Sequence, residues 1–210
     1  MPAQEIKILI FGDVHINTRA KSIHQEILQK IDEIRFKNGS QGFSYTFFTG
    51  DIDTDDRIFD LISNIGGAAQ VKIVKGNMDY SLNRDIPETE TIVFNENIKI
   101  GLIHGHHIHP RGDKIGLTNY AKKLNVNILI SGHTHAHFVE LSEDNSVLLL
   151  NPGSITASWS FISSNIPSFQ IMTIQCDKQI MVTIETFLYI ENDFHTDSIK
   201  FYNKNNVFFQ

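Results

Sequence analysis

The sequence has almost no cysteine, since Cys176 is the only one among 210 residues. A single thiol excludes a disulfide within the chain and any cysteine-rich zinc cluster. If the chain binds metal, the ligands must therefore be His, Asp, Asn or Glu side chains. We interpret Cys176 as a small residue within a strand.

Long apolar runs and an excess of positive charge are also lacking. No stretch of eighteen apolar residues occurs, and residues 1–5 have neither the basic start nor the apolar centre of a signal peptide. We therefore expect neither a membrane span nor export, and a cytoplasmic location. The net charge is -6 and the basic residues are scattered, which disfavours a nucleic-acid partner.

The remaining composition is that of a globular protein, with 41% hydrophobic and 20% charged residues. This length and composition predict one domain over residues 1–210, with a frayed tail at residues 203–210. Strand and helix patterns alternate as far as residue 130, and the last third is nearly all β. This order predicts two packed sheets with helices outside, the first sheet partly parallel.

Histidine is abundant, with ten in the chain. Several histidines, together with acidic residues and an asparagine, follow a glycine at the end of a predicted strand. Because ligands gather outside the carboxyl ends of strands in open α/β sheets, we expect these side chains to converge. The set is Asp13, His15, Asp51, Asn77, His104, His133 and His135.

Seven oxygen and nitrogen donors are too many for one tetrahedral zinc ion. They suit two divalent ions about 4 Å apart, an arrangement that polarises phosphate esters. Manganese, iron and zinc all fit this donor set. The pair His133 and His135 alone is a weak signal, because His-x-His also occurs by chance on solvated strands.

The order of these motifs resembles the calcineurin-like metallophosphoesterases. The matching segments are Gly12-Asp13-Val14-His15, Gly50-Asp51, Gly76-Asn77, His104-Gly105-His106 and Gly132-His133-Thr134-His135. The resemblance implies that one ion is held by Asp13, His15, Asp51 and His135. It implies that the other is held by Asp51, Asn77, His104 and His133, with Asp51 bridging the two.

Further segments are similar to one branch of that family, the retromer subunits called vacuolar protein sorting-associated protein 29. They include Ile128-Leu129-Ile130-Ser131-Gly132-His133-Thr134-His135, Asn151-Pro152-Gly153-Ser154 and Asn165-Ile166-Pro167-Ser168-Phe169. This resemblance implies a four-layer αββα sandwich of the α/β class, with two mixed sheets flanked by helices. It also implies a scaffold in endosome-to-Golgi retrograde transport, peripheral to the endosome membrane.

The same resemblance implies two kinds of protein partner. One is the carboxy-terminal part of the large α-solenoid retromer subunit, for which the loop with Ile108 and His109 is a candidate contact. The other is a set of regulatory proteins, for which Ile171, Phe187 and Tyr189 match the binding region of the family. Alternating apolar residues on late strands are also typical of a core.

Met78 bears on whether the site is catalytic. Many metallophosphatases of this class have a histidine at this position that protonates the leaving oxygen, and a thioether has no proton to give. We therefore favour a metal-binding scaffold over efficient catalysis. A metal-dependent phosphodiesterase is the alternative, with His106 or His107 as a substitute acid, and a metal-stabilised domain with an unrelated partner is a third hypothesis.

The aromatic pair Trp159 and Phe161 follows the Asn151-Pro152-Gly153 turn. We expect packing within the core or the loop, with an exposed interaction anchor as the alternative.

Overall fold

A computed structural model describes residues 4–37, 42–53, 57–67, 69–82, 85–177, 179–204 and 206–210. Its three α-helices in these ranges are α1 (Gln25–Phe36), α2 (Arg57–Gly66) and α3 (Lys114–Lys123). The strands that precede residue 131 are β1 (Gln4–Phe11), β2 (Tyr45–Phe48), β3 (Gln70–Ile73), β4 (Thr89–Val93), β5 (Lys99–Ile103) and β6 (Ile128–Ile130). The later strands are β7 (Phe138–Leu141), β8 (Leu148–Asn151), β9 (Ser168–Cys176), β10 (Ile180–Ile190), β11 (Asp193–Lys204) and β12 (Val207–Phe209).

The strands form two mixed sheets. The larger has seven strands in the order β12-β11-β10-β9-β1-β2-β3, and the smaller has five in the order β4-β5-β6-β8-β7. In the larger sheet β1, β2 and β3 are parallel neighbours, as are β5, β6 and β8 in the smaller. The carboxyl ends of these parallel strands meet at one edge of each sheet, where the predicted ligands lie.

The two sheets pack face to face with helices outside. Strand β1 is buried on both faces, which explains its unbroken apolar run: Ile8 and Ile10 face the smaller sheet, whereas Leu9 and Phe11 face α1 and α2. Helix α3 packs on the outer face of the smaller sheet through Leu117. The predicted four-layer αββα sandwich is confirmed.

The end of the chain differs from our expectation of a frayed tail. Strand β12 pairs antiparallel with β11, with Phe208 opposite Asn203. The Phe208 side chain is fully buried in the core between the sheets. Burial of this one aromatic side chain anchors the segment. None of the helices in the described ranges is long and apolar enough to cross a membrane.

Candidate metal centre

The seven predicted ligands follow five parallel strands, three in one sheet and two in the other. Asp13 and His15 follow β1, Asp51 follows β2 and Asn77 follows β3, whereas His104 follows β5 and His133 and His135 follow β6. Because both sheets present their carboxyl strand ends to the same side of the sandwich, the structure brings together residues far apart in sequence.

One ligand group consists of Asp13, His15, Asp51 and His135, all buried, with one donor atom of each within 4.8 Å of the others. The Nε2 atom of His15 lies 3.2 Å from Asp51 Oδ2 and 3.2 Å from His135 Nε2. His135 Nε2 lies 3.4 Å from Asp13 Oδ1. These four residues could hold a metal ion.

The second group consists of Asp51, His104 and His133, also buried and within the same spacing. His104 Nε2 lies 3.4 Å from Asp51 Oδ2 and 3.2 Å from His133 Nδ1. The side-chain oxygen of Asn77 lies 3.1 Å from His104 Nε2. Oδ2 of Asp51 therefore contacts both groups, which is the bridging position expected for this residue.

The tautomers of three histidines show that the donor set suits cations. Nδ1 of His104 lies 2.7 Å from the Thr49 carbonyl oxygen, and Nδ1 of His135 lies 2.7 Å from the Ser158 carbonyl oxygen. A carbonyl only accepts, so each Nδ1 carries a proton and each Nε2 is left as the atom that can bind a cation. Nδ1 of His15 likewise faces a carboxylate oxygen at 3.3 Å.

The Nε2 atoms of His15 and His135 therefore face each other at 3.2 Å. Two imidazole nitrogens at this distance repel unless a cation or a proton lies between them. The donor chemistry of this chain thus fits divalent ions bound through imidazole and carboxylate groups.

Burial and hydrogen bonding move the carboxylate pKa values in opposite directions. Burial would raise the pKa of Asp51, but hydrogen bonds from His104 and His15 outweigh it and hold this pKa well below its usual range. Burial raises the pKa of Asp13 to about 7, with the charge of His104 opposing. Asp51 is therefore ionised at neutral pH, whereas Asp13 is protonated in about half of the metal-free molecules.

The histidines of the two groups also differ from one another in pKa. Burial opposes the charge of His104, but the hydrogen bond and charge of Asp51 raise its pKa to about 9. Burial and the nearby His104 lower the pKa of His133 to about 3, and burial lowers that of His135 to about 4. His133 and His135 are thus neutral and ready to bind metal, whereas His104 must lose a proton first.

Five of the predicted ligands have left-handed backbone conformations. The φ angles are 50° at Asp13, 45° at His15, 60° at Asp51, 69° at His133 and 59° at His135. A side chain in this region costs on the order of 1 kcal/mol or more, and such residues cluster at functional sites. The surrounding fold therefore holds the ligands in sparsely populated conformations.

Two glycines allow the ligand loops to approach closely. A Cβ atom on Gly76 would lie 2.1 Å from Asp51 Oδ1, and one on Gly132 would lie 2.7 Å from Asp13 Oδ2. Real Cβ atoms do not come so near, so each motif needs glycine before its ligand.

Sequence reasoning missed two supporting carboxylates. Asp53 faces His15 Nδ1 at 3.3 Å and fixes the orientation of that ring. Asp79 accepts backbone hydrogen bonds from the residues around Asp51. Their only signal in the sequence is an acid close to a motif, Asp53 two residues after Asp51 and Asp79 two after Asn77.

The candidate acid His106 lies beside the second group. Its ring centroid is 5.6 Å from that of His104 and 6.3 Å from that of His133, and its ring is partly exposed. His107 contacts Tyr120 instead, at 4.5 Å between centroids. The backbone N–H of Met78 donates to Asp51 Oδ1 at 2.9 Å, so the loop that lacks the acid histidine reaches the shared ligand.

The residues expected to contact protein partners are mostly inside the protein. Ile171, Phe187 and Tyr189 are 0%, 5% and 8% exposed, and Ile108 is 7% exposed. The first three pack in the core under α1 and α2, and Ile108 packs under α3. They do not form an accessible surface in this structure, because helices and neighbouring strands cover them. His109 is exposed.

The expectation that the aromatic pair packs within the core or the loop is also corrected. Trp159 and Phe161 are 58% and 83% exposed, so they do not pack in the core.

Comparison with known proteins identifies a family to which the chain is similar. The model of the calcineurin-like phosphoesterase superfamily domain matches residues 6–177. A curated relative from Methanocaldococcus jannaschii, described as "Probable metallophosphoesterase", is 37% identical over 147 residues, covering 70% of this chain and 67% of the relative.

Several solved structures have a fold similar to that of this chain. Vacuolar protein sorting 29 from Cryptosporidium parvum matches with a TM-score of 0.80 and 26% identity, covering 95% of this chain and 99% of that one. The wild-type protein of that name from Entamoeba histolytica, complexed with Zn²⁺, matches with a TM-score of 0.77 and 30% identity, covering 93% and 99%. The likeness to these proteins rests on the fold, whereas the curated archaeal relative is described as a probable metallophosphoesterase.

Proposed function

The chain belongs to the calcineurin-like phosphoesterase superfamily, and on that basis we propose that it is a metal-dependent phosphodiesterase. The observation that carries this proposal is the pair of buried ligand groups that share Asp51. A shared carboxylate with imidazoles on both sides is a geometry for two neighbouring divalent ions.

In this proposal Asp13, His15, Asp51 and His135 hold one ion, and Asp51, Asn77, His104 and His133 hold the other. Manganese, iron and zinc suit these nitrogen and oxygen donors. When bound, such ions polarise a phosphate ester and lower the pKa of water. Asp53 keeps His15 in the tautomer that presents Nε2 to the site.

Met78 bears on how the leaving group departs. Hydrolysis adds water across one P–O ester bond and releases an alcohol, so the departing oxygen must gain a proton. Met78 cannot supply that proton, and protonation by a positioned acid is typically worth about a hundredfold or more. We propose His106 as a less effective substitute donor, since its ring lies beside His104 and His133 but burial lowers its pKa.

The test is turnover of bis(4-nitrophenyl) phosphate by the manganese-loaded protein. We expect activity that Asp51→Asn removes and that His137→Ala retains, since His137 follows the same motif but belongs to neither ligand group. Equal rates for wild type and Asp51→Asn would mean that the activity is a contaminant and would overturn the proposal.

The second candidate function is a retromer-type scaffold in endosome-to-Golgi transport. It is favoured by the fold likeness to vacuolar protein sorting 29, which covers 95% of this chain and extends beyond residue 177, where the family model ends. As a scaffold the chain would dock the carboxy-terminal solenoid of the large retromer subunit, recruit regulators, and reach the endosome membrane from the cytoplasm through that complex. Bound ions would then order the ligand loops rather than drive turnover.

Purified large subunit from the same organism tests this second candidate. We expect a complex at micromolar concentration that weakens only modestly after chelation, and that His109→Ala in the exposed loop weakens further. Absence of a complex at that concentration excludes the scaffold role without affecting the phosphodiesterase assay.

A further inference from the structure

One loop beside the ligand groups exposes several large apolar side chains. Trp159, Phe161 and Ile162 are 58%, 83% and 48% exposed. The rings of Trp159 and Phe161 meet edge to face with centroids 5.0 Å apart, and we call these two residues the aromatic lip. Such an edge-to-face pair leaves flat ring surface free for a further aromatic group.

Hydrogen bonds fix the aromatic lip to the turn that carries two predicted ligands. The Ser158 carbonyl accepts from His135 Nδ1 at 2.7 Å, and the Ser160 hydroxyl donates to the Thr134 carbonyl at 2.6 Å. The amide nitrogen of Trp159 therefore lies within about 5 Å of the His135 ring, from bond lengths alone. The backbone that carries the aromatic lip is thus anchored directly to a turn with two predicted ligands.

Two arginines accompany the aromatic lip. Arg19 donates from Nη1 to the Trp159 carbonyl at 3.0 Å, and Arg111 donates from Nη1 to the His133 carbonyl at 3.4 Å. The chain as a whole carries a net charge of -6. Positive charge at this rim therefore favours an anionic ligand, and the aromatic lip favours one with a flat apolar part.

We propose that the aromatic lip stacks on a nucleobase of the phosphodiester substrate, an inference that rests on the proposed phosphodiesterase function. A phosphate held at the ligand groups and a base on Trp159 and Phe161 account for the metal donors, the arginines and the exposed rings together.

Fluorescence tests binding without turnover, because Trp159 is the only tryptophan in the chain. With zinc-loaded protein, we expect saturable quenching by adenosine 5′-monophosphate and none by ribose 5-phosphate or inorganic phosphate. Phe161→Leu should raise the Kd for the nucleotide about fivefold or more. Phe36→Leu is the matched control, since Phe36 is 69% exposed on α1. Equal responses to the nucleotide and ribose 5-phosphate, or an unchanged Kd in Phe161→Leu, would overturn the proposal.

Kinetics separates this inference from the proposed function. The manganese-loaded protein should prefer thymidine 5′-(4-nitrophenyl phosphate) to ethyl 4-nitrophenyl phosphate. Trp159→Leu should lower kcat/KM for the first ester about tenfold and leave the second unchanged. Loss of both rates in equal measure would overturn the proposal that the aromatic lip binds a base.

If wild type hydrolyses neither ester but its fluorescence responds to the nucleotide, the phosphodiesterase proposal fails and the base-binding proposal stands. If the nucleotide does not bind and Trp159→Leu abolishes the complex with the solenoid subunit, the lip is a protein anchor and the proposal is wrong.

Discussion

The carboxylate of Asp79 accepts a hydrogen bond from the backbone N–H of Asp51 at 3.0 Å. The same carboxylate accepts from the N–H groups of Ile52, Asp53 and Gly76 at 2.6, 3.0 and 2.7 Å. Asp51 is the residue that the two ligand groups share. Asp79 therefore holds the backbone that presents the shared ligand, and joins it to the loop after β3.

Replacing this carboxylate should destabilise the protein. In Asp79→Asn an NH₂ group faces backbone N–H donors, so buried hydrogen bonds to a charged acceptor are lost. We expect the free energy of unfolding to fall by about 2–3 kcal/mol, measured by chemical denaturation. Asp60→Asn, at an exposed position on α2, should change it by about 0.5 kcal/mol or less. Similar values for the two variants would show that the Asp79 contacts do not stabilise the loop.

Removal of metal should lower the melting temperature. An ion at a hundred times its Kd stabilises the folded state by about 2.7 kcal/mol. Elemental analysis should find two ions per wild-type chain and fewer in His135→Ala. The control His137→Ala should keep both ions and the chelator-sensitive melting temperature. A wild-type melting temperature unaffected by chelator would contradict metal binding at these groups.

The stability of the metal-free protein should pass through a maximum near pH 6.5. His133 and His135 have pKa values of about 3 and about 4 in the folded state, below the ordinary 6.5. The unfolded chain then binds more protons, so stability rises with pH up to about 6.5. The pKa of Asp13 is raised from 3.8 to about 7, so this residue lowers stability as the pH rises and offsets the contribution of one of these two histidines.

Above pH 6.5 stability falls as the pH rises, because of His104. Its folded-state pKa of about 9 exceeds the ordinary 6.5, so the stability it contributes is lost as the pH rises from about 6.5 to 9. Denaturation midpoints measured in chelator below and above pH 6.5 test both the rise and the fall in stability. A midpoint that rises steadily to pH 9 would contradict the raised pKa of His104.

Restoring the acid histidine should change which leaving groups the site accepts. Met78→His supplies a proton donor in the loop whose N–H contacts Asp51. We expect the rate for an alkyl leaving group to rise by up to about a hundredfold, and the rate for 4-nitrophenolate to change little. Met78→Gln, which cannot donate an acidic proton, is the control. Equal gains for both leaving groups would exclude a general-acid effect.

Phe187 should behave as a core residue rather than as a partner contact. Its ring stacks on Phe169 with centroids 4.8 Å apart and planes 5° apart. Phe187→Ala should lower the free energy of unfolding by about 3–5 kcal/mol, measured by denaturation. A variant with wild-type stability and weakened binding to a regulator would instead support the surface role that the sequence suggested.

The sequence predicts which residues the fold brings together, because each candidate ligand belongs to a short local pattern. A strand, a glycine and a polar residue occur in sequence at Asp13, Asp51 and His133, and parallel strands bring their ends together. The roles of Asp53 and Asp79 could not be predicted, since each depends on where a turn points a ring or a backbone N–H group.

The sequence also could not predict which of its aromatic side chains are exposed. Tyr189 alternates with other apolar residues on β10 in a way that fits either a surface or a core. The structure places Phe194 of the following strand against it, with ring centroids 5.1 Å apart. Trp159 is a large aromatic residue, which favours burial, but three hydrogen bonds of its loop to neighbouring segments hold it at the surface.

The ligands of both groups come from both sheets, and His15 and His135 are 120 residues apart. Neither sheet folded alone can assemble a complete donor set. During refolding, ions held by these groups would therefore bind tightly only after the sheets have come together. The rate of ion capture would then measure the rate of this last assembly step.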